Sequence, residues 1–253
     1  MDAFEQIRLA WKATEAGGYG RAQKLLLALW REKRAPVLAE HILELDKHIP
    51  RVEIKGQTPS VRQQSWLELA SSGDETVVGA LLETLPRGRI NDWDDRLSAL
   101  EKLSPDPRIS VKLEEILKDP PHRTSRWIAF ELMKLLAKQE DPRHLSLSSE
   151  IQHWPVRFEL RNYYADEWKR RSKTLAAQFP HGPPELERRE VVLLKALRSA
   201  LPISEKQIKL ENTEASCLAD VYENPDDDEP RLVYADWLLE RGDPLGEFIV
   251  LQC

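Results

Sequence analysis

The residues best suited to chemistry are four consecutive acids, Asp226, Asp227, Asp228 and Glu229. Carboxylates at that density attract divalent cations. A calcium loop, however, spaces its ligands as Asp-x-Asp-x-Asp-Gly with a distant Glu, and contiguous side chains cannot all point at one centre. Ahead of a helix, the same acids accept the free amide hydrogens of the first turn and meet the positive end of the dipole, so the run reads as a cap. Asp236 and Asp243 stand near Arg231 and Arg241, and structural ion pairs are the expected use of all four. The six histidines (41, 48, 122, 144, 153 and 181) are scattered, without HExxH or His-x-His spacing. Cys217 and Cys253 make no metal or disulfide pattern, and Cys217 falls on an apolar helical face as a small core residue. There is no GxSxG turn, phosphate loop or GxGxxG, and Gly17-Gly18-Tyr19-Gly20 lies between helices rather than after a strand. No catalytic residue, metal site or cofactor is expected.

Tryptophan is the other unusual feature, with eight in 253 residues. Trp66, Trp93, Trp127, Trp154 and Trp168 recur near the starts of successive helices. Large rings wedge well between packed helices. Alternatively, on a concave face Trp66, Trp93 and Trp127, with Arg108 and Arg143, would anchor a protein partner, because Trp and Arg dominate such interfaces.

Helices must position these residues. The chain is Leu-rich with only 10 Gly, a usage that favours helix because straight-chain residues keep rotamer freedom there. Apolar residues at helical spacing run from Phe4 to Ala13 and stop at Gly17-Gly18. Further helices fit Tyr19 to Lys33 and Pro36 to before Pro50. Residues 51–56 alternate polar and apolar and read as an extended connector. From residue 58 the pattern becomes repetitive. Ser60 and Gln63 read as a capping box, and Asp74 caps a partner helix. Pairs follow at Trp93–Leu103 with Ile109–Leu117, and at Trp127–Lys138 with its own hinge. The hinge acids Asp74, Asp106 and Asp141 are 32 and 35 residues apart. Beyond 150, helices fit Pro155–Lys173, Pro184–Leu201 and Ser204–Leu210.

Paired amphipathic helices joined by Asp-Pro-Arg turns, over roughly residues 58–150, resemble the HEAT class of α-solenoids. That resemblance implies hairpins stacked side by side and an extended concave surface. HEAT-like DNA glycosylases of similar length offer another function, a nucleic-acid-binding protein or base glycosylase. No residue here matches such a motif, and the repeat region carries no net basic surface.

Charge divides by segment. The whole chain carries -6, which argues against a general nucleic-acid or membrane-surface binder. Residues 157–210 hold 12 basic and 7 acidic side chains, a net +5, and residues 211–253 hold 2 and 12, a net -10. An acidic element docked on a basic neighbour, or two faces awaiting separate partners, would account for the division. In the last segment, Leu232, Val233, Ala235, Trp237, Leu238 and Leu239 form an apolar helical face, Gly242 is a C-cap and Pro244 prevents continuation. Through Asn224-Pro225-Asp226, Asp228, Pro230-Arg231-Leu232, Tyr234-Ala235-Asp236-Trp237-Leu238, Glu240-Arg241-Gly242-Asp243, Gly246-Glu247-Phe248-Ile249 and Leu251-Gln252, residues 215–252 resemble the bacterial "repeat-companion" domain of myxobacteria and planctomycetes. The resemblance implies a bacterial protein of repeat-rich architecture and no particular reaction. Asp228, Arg231, Asp236, Trp237, Arg241 and Gly242 are its expected structural residues.

The expectation is therefore an all-α chain. N-terminal helices (1–56) precede HEAT-like repeats (57–150), a basic helical segment (151–210) and an acidic three-helix module (211–253). It would act as a cytoplasmic, non-enzymatic scaffold or regulatory adaptor for a protein partner, with no membrane and with nucleic-acid binding only as the alternative. A substrate of proteolysis or signalling in a bacterial conflict system is a further alternative.

Overall fold

Leucine-rich amphipathic segments can bury their apolar stripes only against one another, and the computed structural model of the chain is built that way. It describes residues 1–87, 92–119, 126–202, 214–224, 227–239 and 241–252, among which all regular structure is helical. The expected helix at Ser204–Leu210, with its Ser204/Gln207 cap, lies outside the described residues, as do Pro225, Asp226, Glu240 and Cys253. The chain divides into two compact units, Met1–Leu201 and Pro202–Cys253.

The first unit holds two apolar cores. One is formed by α1 (Ala3–Glu15), α2 (Tyr19–Lys33) and α3 (Pro36–Asp46). The other gathers α4 (Pro59–Ala70), α5 (Val78–Thr84), α6 (Trp93–Lys102), α7 (Pro107–Lys118), α8 (Arg126–Lys138), the short α9 (Leu147–Glu150) and α10 (Phe158–Gln178). The last helix of the unit, α11 (Arg188–Ser199), returns to the first core, where Leu194 and Leu197 are fully buried. The expected segment 151–210 is thus no unit of its own. Tyr164, Trp168 and Leu175 of α10 join the second core, while α11 joins the first. Apolar faces pair in space, whatever the local charge.

The hinge acids act as expected. Asp74 Oδ1 accepts from the Thr76 amide at 3.1 Å, Asp106 Oδ1 from Arg108 at 2.9 Å, and Asp141 Oδ1 from Arg143 at 3.1 Å. The cap of α4 differs. Pro59 takes the first turn, so Thr58, extended at φ -108 and ψ 156, is the N-cap and accepts from the Val61 amide. Gln63 is not a capping residue; it is buried and reaches Asp92 instead.

Against α7, His144 Nε2 lies 3.3 Å from Glu114 Oε2 and Lys118 Nζ 2.5 Å from Oε1. The His144 hydrogen bond, opposed by desolvation and aided by Lys118, holds the Glu114 carboxyl at about 2. A carboxyl held below its ordinary 4.5 stabilises the fold above that pH, and the contribution is lost as pH falls from 4.5 towards 2. Glu114→Gln should therefore be less stable than the parent at neutral pH and lose less between pH 4.5 and 2, read from urea midpoints at each pH.

The second unit packs α12 (Glu214–Glu223), α13 (Asp228–Leu239) and α14 (Leu245–Val250) around Cys217, Tyr234 and Leu238. Arg231 pairs with Asp228 at 3.0 Å. Arg241 stacks 3.8 Å from the Trp237 ring centroid and donates to the Trp237 carbonyl. Gly242 follows at φ +72. The pairing expected of Asp236 and Asp243 is not what these arginines make. Asp243 accepts from the Leu245 amide, and exposed Asp236 has no ion pair among the described residues.

Candidate functional site

The two cores of the first unit meet along a polar seam that the hinge turns supply. Helix α2 lays one face along those turns, with residues spaced at helical intervals. Lys24 reaches Asp74 at 3.0 Å, and Arg31 reaches Glu75 at 2.5 Å and the Pro105 carbonyl at 2.9 Å. Arg34 reaches the Gln139 carbonyl at 2.7 Å. The hinge arginines complete the fastening. Arg108 holds Asp106 through Nε and Nη2 and sends Nη2 to the Glu75 carbonyl of the preceding turn at 2.8 Å. Arg143 does the same one turn later, holding Asp141 and donating to the Pro107 carbonyl at 3.2 Å.

Arg108 is the centre of this seam. Its side chain is 2% exposed, and Nη1 also reaches Asp46 Oδ1 at 2.6 Å and Gln23 Oε1 at 2.9 Å. Desolvation opposes its charge, but the Asp106 and Asp46 carboxylates raise the guanidinium above its ordinary range. Burial likewise opposes charge on Asp46, and Arg108 and Arg51 hold it low. Arg51 takes Asp46 Oδ2 at 2.6 Å and Glu83 Oε1 at 2.7 Å. Charges therefore alternate from Asp106 through Arg108, Asp46 and Arg51 to Glu83. Glycine at 79 makes room for this chain, since a Cβ there would lie 2.2 Å from Arg51 Nη1.

The chain of charges ends at the wall of a cavity of about 720 Å³. Among the described residues one wall is the non-helical stretch Arg51, Val52, Glu53 and Ile54. The others are Pro59, Arg62 and Trp66 of α4, Ala80, Glu83 and Thr84 of α5, and Asp92 and Arg96 at the start of α6. The Val52–Lys55 backbone has no hydrogen-bond partner among the described residues, and Val52 is 46% exposed. Its end is fixed by Arg62, whose Nη1 donates to the Gly56 carbonyl at 3.0 Å. Only glycine fits at 56, because a Cβ would lie 2.7 Å from the Arg62 amide nitrogen.

Arg96 lies across the floor, 6% exposed, with its guanidinium 5.2 Å from the Trp66 ring centroid. Nε donates to Gln63 Oε1 at 2.7 Å, and Nη1 to the Thr84 and Leu85 carbonyls at 2.8 and 3.3 Å. Among the described residues Nη2 has no hydrogen-bond partner, and no carboxylate lies within ion-pairing distance of the group. Desolvation lowers its pKa, with the Asp92 charge opposing. Such a site offers two donors to an incoming acceptor in a medium where charge-assisted hydrogen bonds are strong.

The residues expected to anchor a partner do not form one surface. Trp66, Trp93 and Trp168 are fully buried and Trp154 is buried, all in the second core. Trp66 Nε1 donates to the Leu81 carbonyl at 3.2 Å. Arg108 is inside the seam, and Arg143 is committed to Asp141. Trp127, 44% exposed at the start of α8, alone of the five presents much surface. The types and spacing of the cavity residues Arg51, Arg62 and Arg96 do not single them out in the sequence. One signal was available, the extended connector 51–56 ending in glycine. Among the described residues no group of three His, Cys, Asp or Glu is placed to hold a metal ion, and no helix is long and apolar enough to cross a membrane. Comparison with family models, curated proteins and solved structures finds no match to this chain.

Proposed function

We infer that the protein is a non-enzymatic interaction module, a scaffold or regulatory adaptor, whose rigid helical frame holds an open groove for a protein partner. The frame is read as HEAT-like hairpins in an α-solenoid, a reading supported by the matched fastenings at Asp106/Arg108 and Asp141/Arg143, in which each arginine reaches back to the preceding turn. The observation that carries the functional reading is the wall of the cavity. Four residues of non-helical backbone, Val52–Lys55, unpaired among the described residues, stand beside the cavity on a frame held by buried ion pairs, and unpaired backbone groups are open to pairing with another chain.

The test compares the intact protein with Val52→Glu as bait in the cytosol of its source cell. Val52 is exposed, so the substitution should leave the melting curve unchanged. A partner should co-purify in stoichiometric amount with the parent and fall at least about tenfold with the variant, the effect of one charge misplaced in an interface core. Equal recovery with both proteins, or no partner above background, would overturn the reading.

A further inference from the structure

The groove has a chemistry of its own, and the ligand class inferred from it rests on the interaction role proposed for the protein. Its features differ in kind. The Val52–Lys55 wall is non-helical and offers backbone donors and acceptors without partners among the described residues, which a peptide chain laid beside it can pair. Arg96 offers an open Nη2 on a guanidinium already oriented by Gln63, two carbonyls and the Trp66 ring. Arg62 stands at the mouth with one nitrogen on the Gly56 and Gln57 carbonyls. Glu83 is taken by Arg51, and Asp92 acts on Arg96 from beyond ion-pairing distance. A buried guanidinium without a direct counter-ion gains most from an anion, and with Nε and Nη1 already taken a single carboxylate oxygen meets the open Nη2.

We propose that this cavity binds an acidic, extended peptide segment. Its backbone pairs with Val52–Lys55, and an Asp or Glu side chain enters to meet Arg96, with Arg62 closing over it. In an extended chain alternate side chains point the same way, so acids at every second position suit the groove. Glu53, on the same wall and without an ion pair among the described residues, repels a carboxylate placed beside it and so sets the register.

The experiment is fluorescence anisotropy on the full chain with three labelled ten-residue peptides. One alternates Glu and Val, one alternates Gln and Val, and the third is the Glu-Val peptide with every second amide N-methylated. The Glu-Val peptide should bind about tenfold more tightly than the Gln-Val peptide, the worth of a hydrogen bond to a charged group. N-methylation should cost a similar factor by blocking the backbone pairing. Arg96→Met should abolish the preference for Glu. Should that variant fail to fold, Arg62→Gln, an exposed change, should reduce the preference by about threefold. Equal binding of Glu-Val and Gln-Val, indifference to N-methylation, or displacement of the peptide by inorganic phosphate or single-stranded DNA at equal charge would overturn the proposal. If the Glu-Val peptide fails to bind while a partner still co-purifies in a Val52-dependent way, this inference falls and the interaction reading stands. If both fail, both fall.

Discussion

Replacing Arg108 with alanine is expected to lower the unfolding free energy of the first unit by about 3–5 kcal/mol, the cost of breaking a buried ion pair from one side. The size of the effect comes from the groups the side chain leaves behind. Asp106 and Asp46 would be buried carboxylates deprived of their main cation, and Gln23 Oε1 and the Glu75 carbonyl would lose donors. Asp46 would keep Arg51, but among the described residues Asp106 would keep only its capping bond from the backbone amide of residue 108. Arg108→Lys should recover little, because one ammonium cannot reproduce a fork that reaches two carboxylates, an amide oxygen and a carbonyl at once. Urea unfolding followed by circular dichroism measures the change. A loss below about 1 kcal/mol, the ordinary worth of a surface pair, would mean that the seam does not fasten the two cores.

Trp66→Ala is the second large effect, at about 3–5 kcal/mol for truncating a fully buried tryptophan. The ring is in the second core, and its removal leaves a cavity between α4 and α5 that α-helical backbones cannot collapse to fill. Trp66→Phe should keep most of the packing but lose the bond to the Leu81 carbonyl, a cost of about 1 kcal/mol. The alanine variant should also weaken binding in the groove, since Arg96 lies against the same ring. Urea midpoints for the two variants separate packing from hydrogen bonding. Equal midpoints for Trp66→Ala and the parent would place the ring outside the core.

What the sequence made legible was local. The hinge acids at 74, 106 and 141 could be read because capping is settled within three residues, and Gly17 and Pro36 marked helix ends for the same reason. The periodic leucines pointed to the all-α class. Partners far apart in the chain could not be read. Nothing near Arg108 points to Asp46, 62 residues away, or to Gln23, 85 residues away. A clue was present in retrospect, since Gln23 and Asp46 are polar residues in register with apolar faces. The return of α11 to α1 and α3 comes from matching apolar stripes over the length of the unit, and the basic composition of 157–210 hid it. Tryptophan carries an anchor's chemistry and a wedge's size, so its type alone could not separate Trp66 in the core from Trp127 at the surface. The groove depends on three elements meeting around a connector, and only the connector left a trace in the sequence.

If another chain docks on Val52–Lys55 as proposed, the amides of those four residues are covered in the complex. Amide hydrogen exchange there, in the free protein and in the complex with its co-purified partner, reads that covering. The wall makes no backbone hydrogen bonds with the described residues of the free chain, so these amides should exchange rapidly there and slow at least about tenfold in the complex. Unchanged exchange at 52–55, with protection appearing elsewhere on the first unit, would contradict the claim.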